Sequence, residues 1–186
     1  MDVAGNLEVS PMARKTLVLG GARSGKSEIA EKIAGSFGPD VIYVATSPLA
    51  PGSDSAWDKR IAEHRARRPP SWRTVEAPAG ADLGGVLEEL DCPLLVDSLG
   101  AWLAGMDGFR ADLDRLCSAI GARKSAVVLV SDEVGMGVHP STVAGNAFRD
   151  ALGELNRRVG MTCEQVLLVV AGRVLPLAPY PLGGTW

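Results

Sequence analysis

Eight residues limit what this chain can become more than any others. Gly20-Gly21-Ala22-Arg23-Ser24-Gly25-Lys26-Ser27 satisfies the pattern G-x-x-x-x-G-K-[ST]. It follows the apolar run Thr16–Leu19 and opens a helix-length segment over Lys26–Ser36. Glycines let the backbone curl until successive N–H groups face one phosphate, and the helix N-terminus adds partial positive charge there. In such a loop Lys26 reaches the β- and γ-phosphates and the Ser27 hydroxyl holds Mg²⁺. A strand, this loop and a helix in that order commit the chain to an α/β sheet.

The rest of the chain keeps the rhythm. Short β-branched runs at Val41–Val44, Trp72–Glu76, Pro93–Val96, Ala126–Val130 and Val166–Ala171 read as strands. Between them, helices are expected over Ala81–Leu90, Leu113–Ala122 and Thr142–Val159. Another is expected from an Asp54 cap to about Arg67, where Pro69-Pro70 stops it. The proline- and glycine-rich tail reads as a loop. Alternating strands and helices predict a mainly parallel sheet with helices on both faces. Ligands bind such sheets beyond the carboxyl ends of the strands, where every candidate residue falls.

Length and composition fit that picture. The 186 residues suit one domain with a sizeable core, here taken as residues 15–186 behind a flexible extension at 1–14. Apolar and charged shares of 46% and 22% argue against disorder. A net charge of −3 argues against a broad nucleic-acid surface. No apolar run reaches the roughly 18 residues of a membrane span. The first fourteen residues lack the apolar segment of a signal peptide. Cys92, Cys117 and Cys163 are widely spaced, which suits small buried residues in a reducing cytoplasm rather than disulfides or a zinc site.

A metal-bound triphosphate needs a carboxylate at the end of a buried strand, and Leu94-Leu95-Val96-Asp97 supplies one. An acid there can also merely cap the helix that follows, and the phosphate loop's need for a metal ligand favours the first role. Asp132 and Glu133 end another apolar strand. They can orient water or metal, accept a proton from a hydroxyl, or cap the turn that follows, and the sequence leaves these roles open. His64 stands four residues after Arg60 on the expected second helix, with Arg65, Arg67 and Arg68 beside it. Guanidinium neighbours favour a neutral imidazole, which suits attack on phosphorus. A lone exposed histidine is more often merely solvated, so composition alone does not make it catalytic. His139 has no basic companions.

At this point the residues resemble the bifunctional adenosylcobinamide kinase/adenosylcobinamide-phosphate guanylyltransferases. The likeness lies in Gly20–Ser27, Tyr43-Val44-Ala45-Thr46-Ser47, Arg60-Ile61 with His64 and Arg65, and Arg68-Pro69 followed by Trp72, Thr74 and Glu76. It continues through Leu95-Val96-Asp97-Ser98-Leu99, Ser131–Gly137, Phe148-Arg149-Asp150 and Asn156, in order from about Thr16 to Gly172. His139 stands where relatives carry an aliphatic residue, and Leu103–Arg110 is short.

The resemblance implies a RecA-like P-loop fold and two reactions of cobalamin assembly. First, ATP or GTP phosphorylates the aminopropanol hydroxyl of adenosylcobinamide. GTP then guanylylates His64, and the cobinamide phosphate takes the GMP to give adenosylcobinamide-GDP. It further implies nucleotide contacts at Gly20, Gly21, Ala22, Arg23, Ser24, Gly25, Lys26, Ser27, Ala45, Thr46, Ser47, Arg65, Ala66, Arg67, Arg68, Glu76 and Asp97. Ser27 and Asp97 would bind Mg²⁺, and the assembly would be a homotrimer. The chief alternative is a P-loop kinase for another small hydroxyl compound, without guanylyl transfer.

Overall fold

The computed structural model describes residues 13–46, 67–77 and 80–179. The expected helix from Asp54 to Arg67 therefore lies outside the described residues except for its last position. Among the described residues seven strands form one sheet, in the order β3-β2-β4-β5-β1-β6-β7. They are β1 (Lys15–Gly20), β2 (Ile42–Ala45), β3 (Arg73–Glu76), β4 (Leu94–Asp97), β5 (Val127–Asp132), β6 (Gln165–Val170) and β7 (Arg173–Leu177). All pairings are parallel except β6 with β7. The expected α/β fold, a mainly parallel sheet with helices on both faces, is the fold found.

Strand parity divides the core in two. Leu17, Leu19, Val44, Val96 and Leu129 face one side, packed under α2 (Leu83–Glu89), α3 (Leu99–Ala104), α4 (Leu113–Ala122) and α5 (Val143–Thr162). Val18, Tyr43, Leu95, Val128 and Val130 face the other, under α1 (Lys26–Gly35). Ala30 and Ala34 of α1 are small and buried, so this helix lies close on the sheet. Because strands such as β1 and β5 are buried on both faces, they read as unbroken apolar runs.

Side-chain caps start four of the helices. Asp82, Ser98, Asp112 and Thr142 accept from the N–H of Gly85, Ala101, Arg115 and Gly145 at 3.1, 3.2, 2.9 and 3.0 Å. Each such cap contributes about 1 kcal/mol. Among the described α-helices α1 is the exception and starts from Gly25 in the left-handed region (φ 94°). Among the described residues no helix is long and apolar enough to cross a membrane.

Two features depart from the sequence reading. The tail expected to be loop from Gly172 onward is strand as far as Leu177, with β7 closing a hairpin on β6. Pro176 hides it, since proline suits only strands that need not donate on both sides, and β7 is an edge. Its parity is also inverted, because Leu175 and Leu177 point outward. The second departure is α3, too short at six residues to show a helical period.

The three cysteines are unpaired and half-buried. Desolvation pushes the Cys163 thiol up to about 12 and raises Cys92 as well, in keeping with packing roles.

Candidate active site

The phosphate loop is held by its neighbours as well as by its own glycines. A Cβ on Gly20 would lie 2.5 Å from Ser24 Oγ and 2.7 Å from the Val169 carbonyl oxygen, so β1 can end this close to β6 only with glycine. Arg23 and Gly25 take positive φ, turning the chain into α1. Lys26 N–H donates to Ser24 Oγ at 3.3 Å. From outside, Gly172 N–H in the β6–β7 turn donates to the Ser24 carbonyl at 2.8 Å, and Glu133 N–H donates to that of Gly20 at 3.1 Å. The strand missed in the sequence thus braces the loop.

Register aligns the remaining groups at one sheet edge. Glu76, Ala45, Asp97, Val130 and Val18 fall in one lateral row across β3, β2, β4, β5 and β1. Strand β5 separates the strand of Asp97 from that of the phosphate loop, so their backbones are roughly 10 Å apart. A cation with its water and phosphate oxygens fits across such a span. Among the described residues no three His, Cys, Asp or Glu side chains cluster as a metal cage. Magnesium, which keeps substrate and water oxygens as ligands, does not require one. Ser27 and Asp97, both half-buried, are oxygen donors of the kind it takes.

Asp97 is oriented from beneath. The Tyr43 hydroxyl donates to Asp97 Oδ2 at 3.2 Å. Burial first, and the Asp97 carboxylate second, push the phenol upward, so it stays protonated and donates. The Arg68 guanidinium lies 3.2 Å from the centroid of the Tyr43 ring, a cation–π contact, with Nη1 3.5 Å from Thr74 Oγ1. Its Nε is buried and has no hydrogen-bond partner among the described residues.

The other predicted positions are met unevenly. Thr46 is fully buried and its hydroxyl donates to the Ser98 carbonyl at 2.6 Å, tying the loop after β2 to the loop after β4. Arg67 pairs with Glu31 of α1 at 3.2 Å. Glu76 ends β3 and is exposed. His64, Arg65, Ala66 and Ser47 lie outside the described residues. His139 is exposed, its Nδ1 lying 3.0 Å from the Pro140 carbonyl.

Lys26 is buried at 8% exposure, and its Nζ meets the Asp132 carboxylate at 2.7 Å. The loop therefore already gathers an anion at its cation, as a phosphate site must. The sequence offered Asp132 without assigning it. Strand parity with Val128 and Val130 was a usable signal for its direction, whereas its partner depends on β5 lying next to β1.

Residues 16–177 match the model of the family described as cobinamide kinase / cobinamide phosphate guanyltransferase. The chain belongs to this family. It is 42% identical over 176 residues to the bifunctional adenosylcobalamin biosynthesis protein CobP of Pseudomonas aeruginosa, covering 90% of this chain and 99% of that protein. Identity to the bifunctional adenosylcobalamin biosynthesis proteins CobU of Salmonella typhimurium and Escherichia coli is 36% and 34%, over 84% of this chain and 95% of each.

Solved structures are more distant. Flagellar accessory protein FlaH of Methanocaldococcus jannaschii gives a TM-score of 0.46 at 15% identity, covering 86% of this chain and 74% of that one. P4 protein of bacteriophage phi6, in complex with ADP, gives 0.43 at 16%, covering 88% of this chain and 54% of P4. This chain thus spans about half the length of P4. The fold rests on the sheet itself.

Proposed function

We propose that this protein phosphorylates adenosylcobinamide with ATP or GTP and then transfers GMP from GTP, through a histidine–GMP intermediate, to give adenosylcobinamide-GDP. The observation that carries the reading is the family match from 16 to 177, which takes in the phosphate loop and the row of strand ends that faces it. A kinase for some other hydroxyl compound would share the loop but not a match from first strand to last.

In the first reaction the loop amides and the Lys26 ammonium hold the phosphates, and the acceptor hydroxyl attacks the terminal phosphorus. Ser27 and Asp97 would hold Mg²⁺, which offsets phosphate charge as it develops. In the second, a neutral His64 attacks the α-phosphorus and pyrophosphate leaves. The resulting N–P bond keeps the guanylyl group activated, so one difficult transfer becomes two displacements. Arg65, Ala66, Arg67, Arg68, Ser47, Ala45, Thr46 and Glu76 complete the nucleotide contacts in this reading. Arg68, whose Nε has no partner among the described residues and lies beside the Tyr43–Asp97 pair, offers a donor for added negative charge.

The reading includes a cytoplasmic homotrimer built from one catalytic domain. Unpaired cysteines agree with the compartment. Exposed Met136, Val138, Val143, Leu175 and Leu177 offer apolar surface that an assembly would cover.

The direct test is adenosylcobinamide with GTP and Mg²⁺, read by mass. Products heavier by one phosphoryl group and then by a further guanylyl group are expected; an unchanged corrinoid overturns the reading. A second result concerns the metal. Tyr43→Phe deletes the hydrogen bond that aims Asp97 while keeping the ring under Arg68. The Mg²⁺ concentration for half-maximal nucleotide binding should rise by about tenfold, the low end for losing an outer partner of a metal ligand. Nucleotide binding titrated with Mg²⁺ checks this, and an unshifted midpoint removes Tyr43 from the site.

A further inference from the structure

Of the two acids at the close of β5, Asp132 within it and Glu133 just after, one has a local task. Glu133 Oε1 accepts from Gly135 N–H at 2.7 Å, capping its own turn. Asp132 does not. Its Oδ1 lies 2.7 Å from Lys26 Nζ, and the arrangement around it is built. Register sets Asp132 beside Gly20, where the phosphate loop begins. Asn156 of α5, a buried polar residue, donates from Nδ2 to the Asp132 carbonyl at 3.0 Å. Helix α3 leaves space for the carboxylate only because residue 100 is glycine, since a Cβ there would lie 2.8 Å from Asp132 Oδ2.

A carboxylate on the loop's lysine stands where a phosphate oxygen would bind. Nucleotide and Asp132 therefore compete for one cation, and a triphosphate carries the greater charge. Once Lys26 turns to the phosphates, Asp132 is left without its counter-ion, beside the group being transferred. The phosphorylation proposed above needs a proton acceptor at that place, and this inference rests on that reading. We propose that Asp132 is the proton acceptor for the acceptor hydroxyl, paired with Lys26 until nucleotide displaces it.

The step balances without further reagents. The acceptor oxygen bonds to the terminal phosphorus, and the bond from that phosphorus to its bridging oxygen breaks, its electron pair leaving with the nucleoside diphosphate. The hydroxyl proton moves to the Asp132 carboxylate. With a side-chain exposure of 36%, Asp132 can return the proton to solvent after product leaves.

Asp132→Asn separates the two roles because it keeps the shape and removes both charge and basicity. Affinity for the β,γ-imido analogue of ATP with Mg²⁺, measured by calorimetry, should rise by about fivefold or more as the rival anion is lost. Turnover for phosphorylation of adenosylcobinamide should fall by roughly 10²–10⁴-fold. Asp132→Glu, which restores a carboxylate, should regain at least about tenfold of that turnover. Analogue binding shows in the same experiment that each variant is folded. Turnover of Asp132→Asn within about threefold of wild type overturns the proposal. A fall in turnover without tighter binding also overturns it, since Lys26 would then not be contested. If wild-type protein leaves adenosylcobinamide unphosphorylated, the functional reading fails instead, and the binding arm, which needs no corrinoid, still reports on the Lys26 pair.

Discussion

His64→Ala is expected to abolish covalent labelling of the protein by GTP carrying radiolabel in its α-phosphate, while wild type is labelled and releases pyrophosphate. Loss of a covalent nucleophile leaves no second route to the same adduct, so guanylyl transfer should fall by roughly 10⁴-fold or more. Phosphorylated corrinoid should accumulate in place of the GDP-linked product, because the first reaction forms no bond to histidine. Label stable to denaturation and sensitive to acid identifies the N–P linkage. Labelling that survives the substitution removes His64 from the mechanism and returns the kinase-only alternative to first place.

Lys26→Met should lower kcat/KM for phosphorylation by about 10³-fold, the scale for removing one preorganised charge from a developing phosphate charge. Methionine keeps most of the apolar stem, so packing along the loop is largely retained. The variant also strands Asp132. A carboxylate wholly buried and deprived of its partner costs 3–5 kcal/mol, but Asp132 is 36% exposed, and solvent reduces the loss to about 1 kcal/mol. Thermal unfolding should therefore drop by about 2–4 °C for a domain of this size. Adding Asp132→Asn should recover the melting temperature without recovering activity. A double variant no more stable than Lys26→Met shows that the pair carries no coupling, and a single variant within about tenfold of wild-type kcat/KM removes Lys26 from the chemistry.

Much of the fold was legible because its signals are local. Parallel strands buried on both faces give continuous runs such as Val127–Val130, and the capping residues Asp82, Asp112 and Thr142 mark helix starts in the sequence. Strand β7 was not legible, because Pro176 and the outward Leu175 and Leu177 erase the alternation that identifies a strand. Helix α3 was missed for want of length. Its Ser98 cap is plain only once Asp97 is known to end β4.

The candidate site divides in the same way. The sequence by itself determined the candidate phosphate loop, its lysine and the candidate acid that ends β4, since a phosphate cradle is a contiguous stretch of backbone and the acid closes an unbroken apolar run. Only the tertiary structure decided which groups meet across chain distance. Tyr43 reaches Asp97 because β2 lies beside β4, Gly172 braces Ser24 because β7 folds back on β6, and Asp132 rather than Glu133 finds Lys26 because β5 lies beside β1. Strand order is chosen by how two faces of apolar side chains pack under their helices, a property of the whole sheet that no single segment encodes.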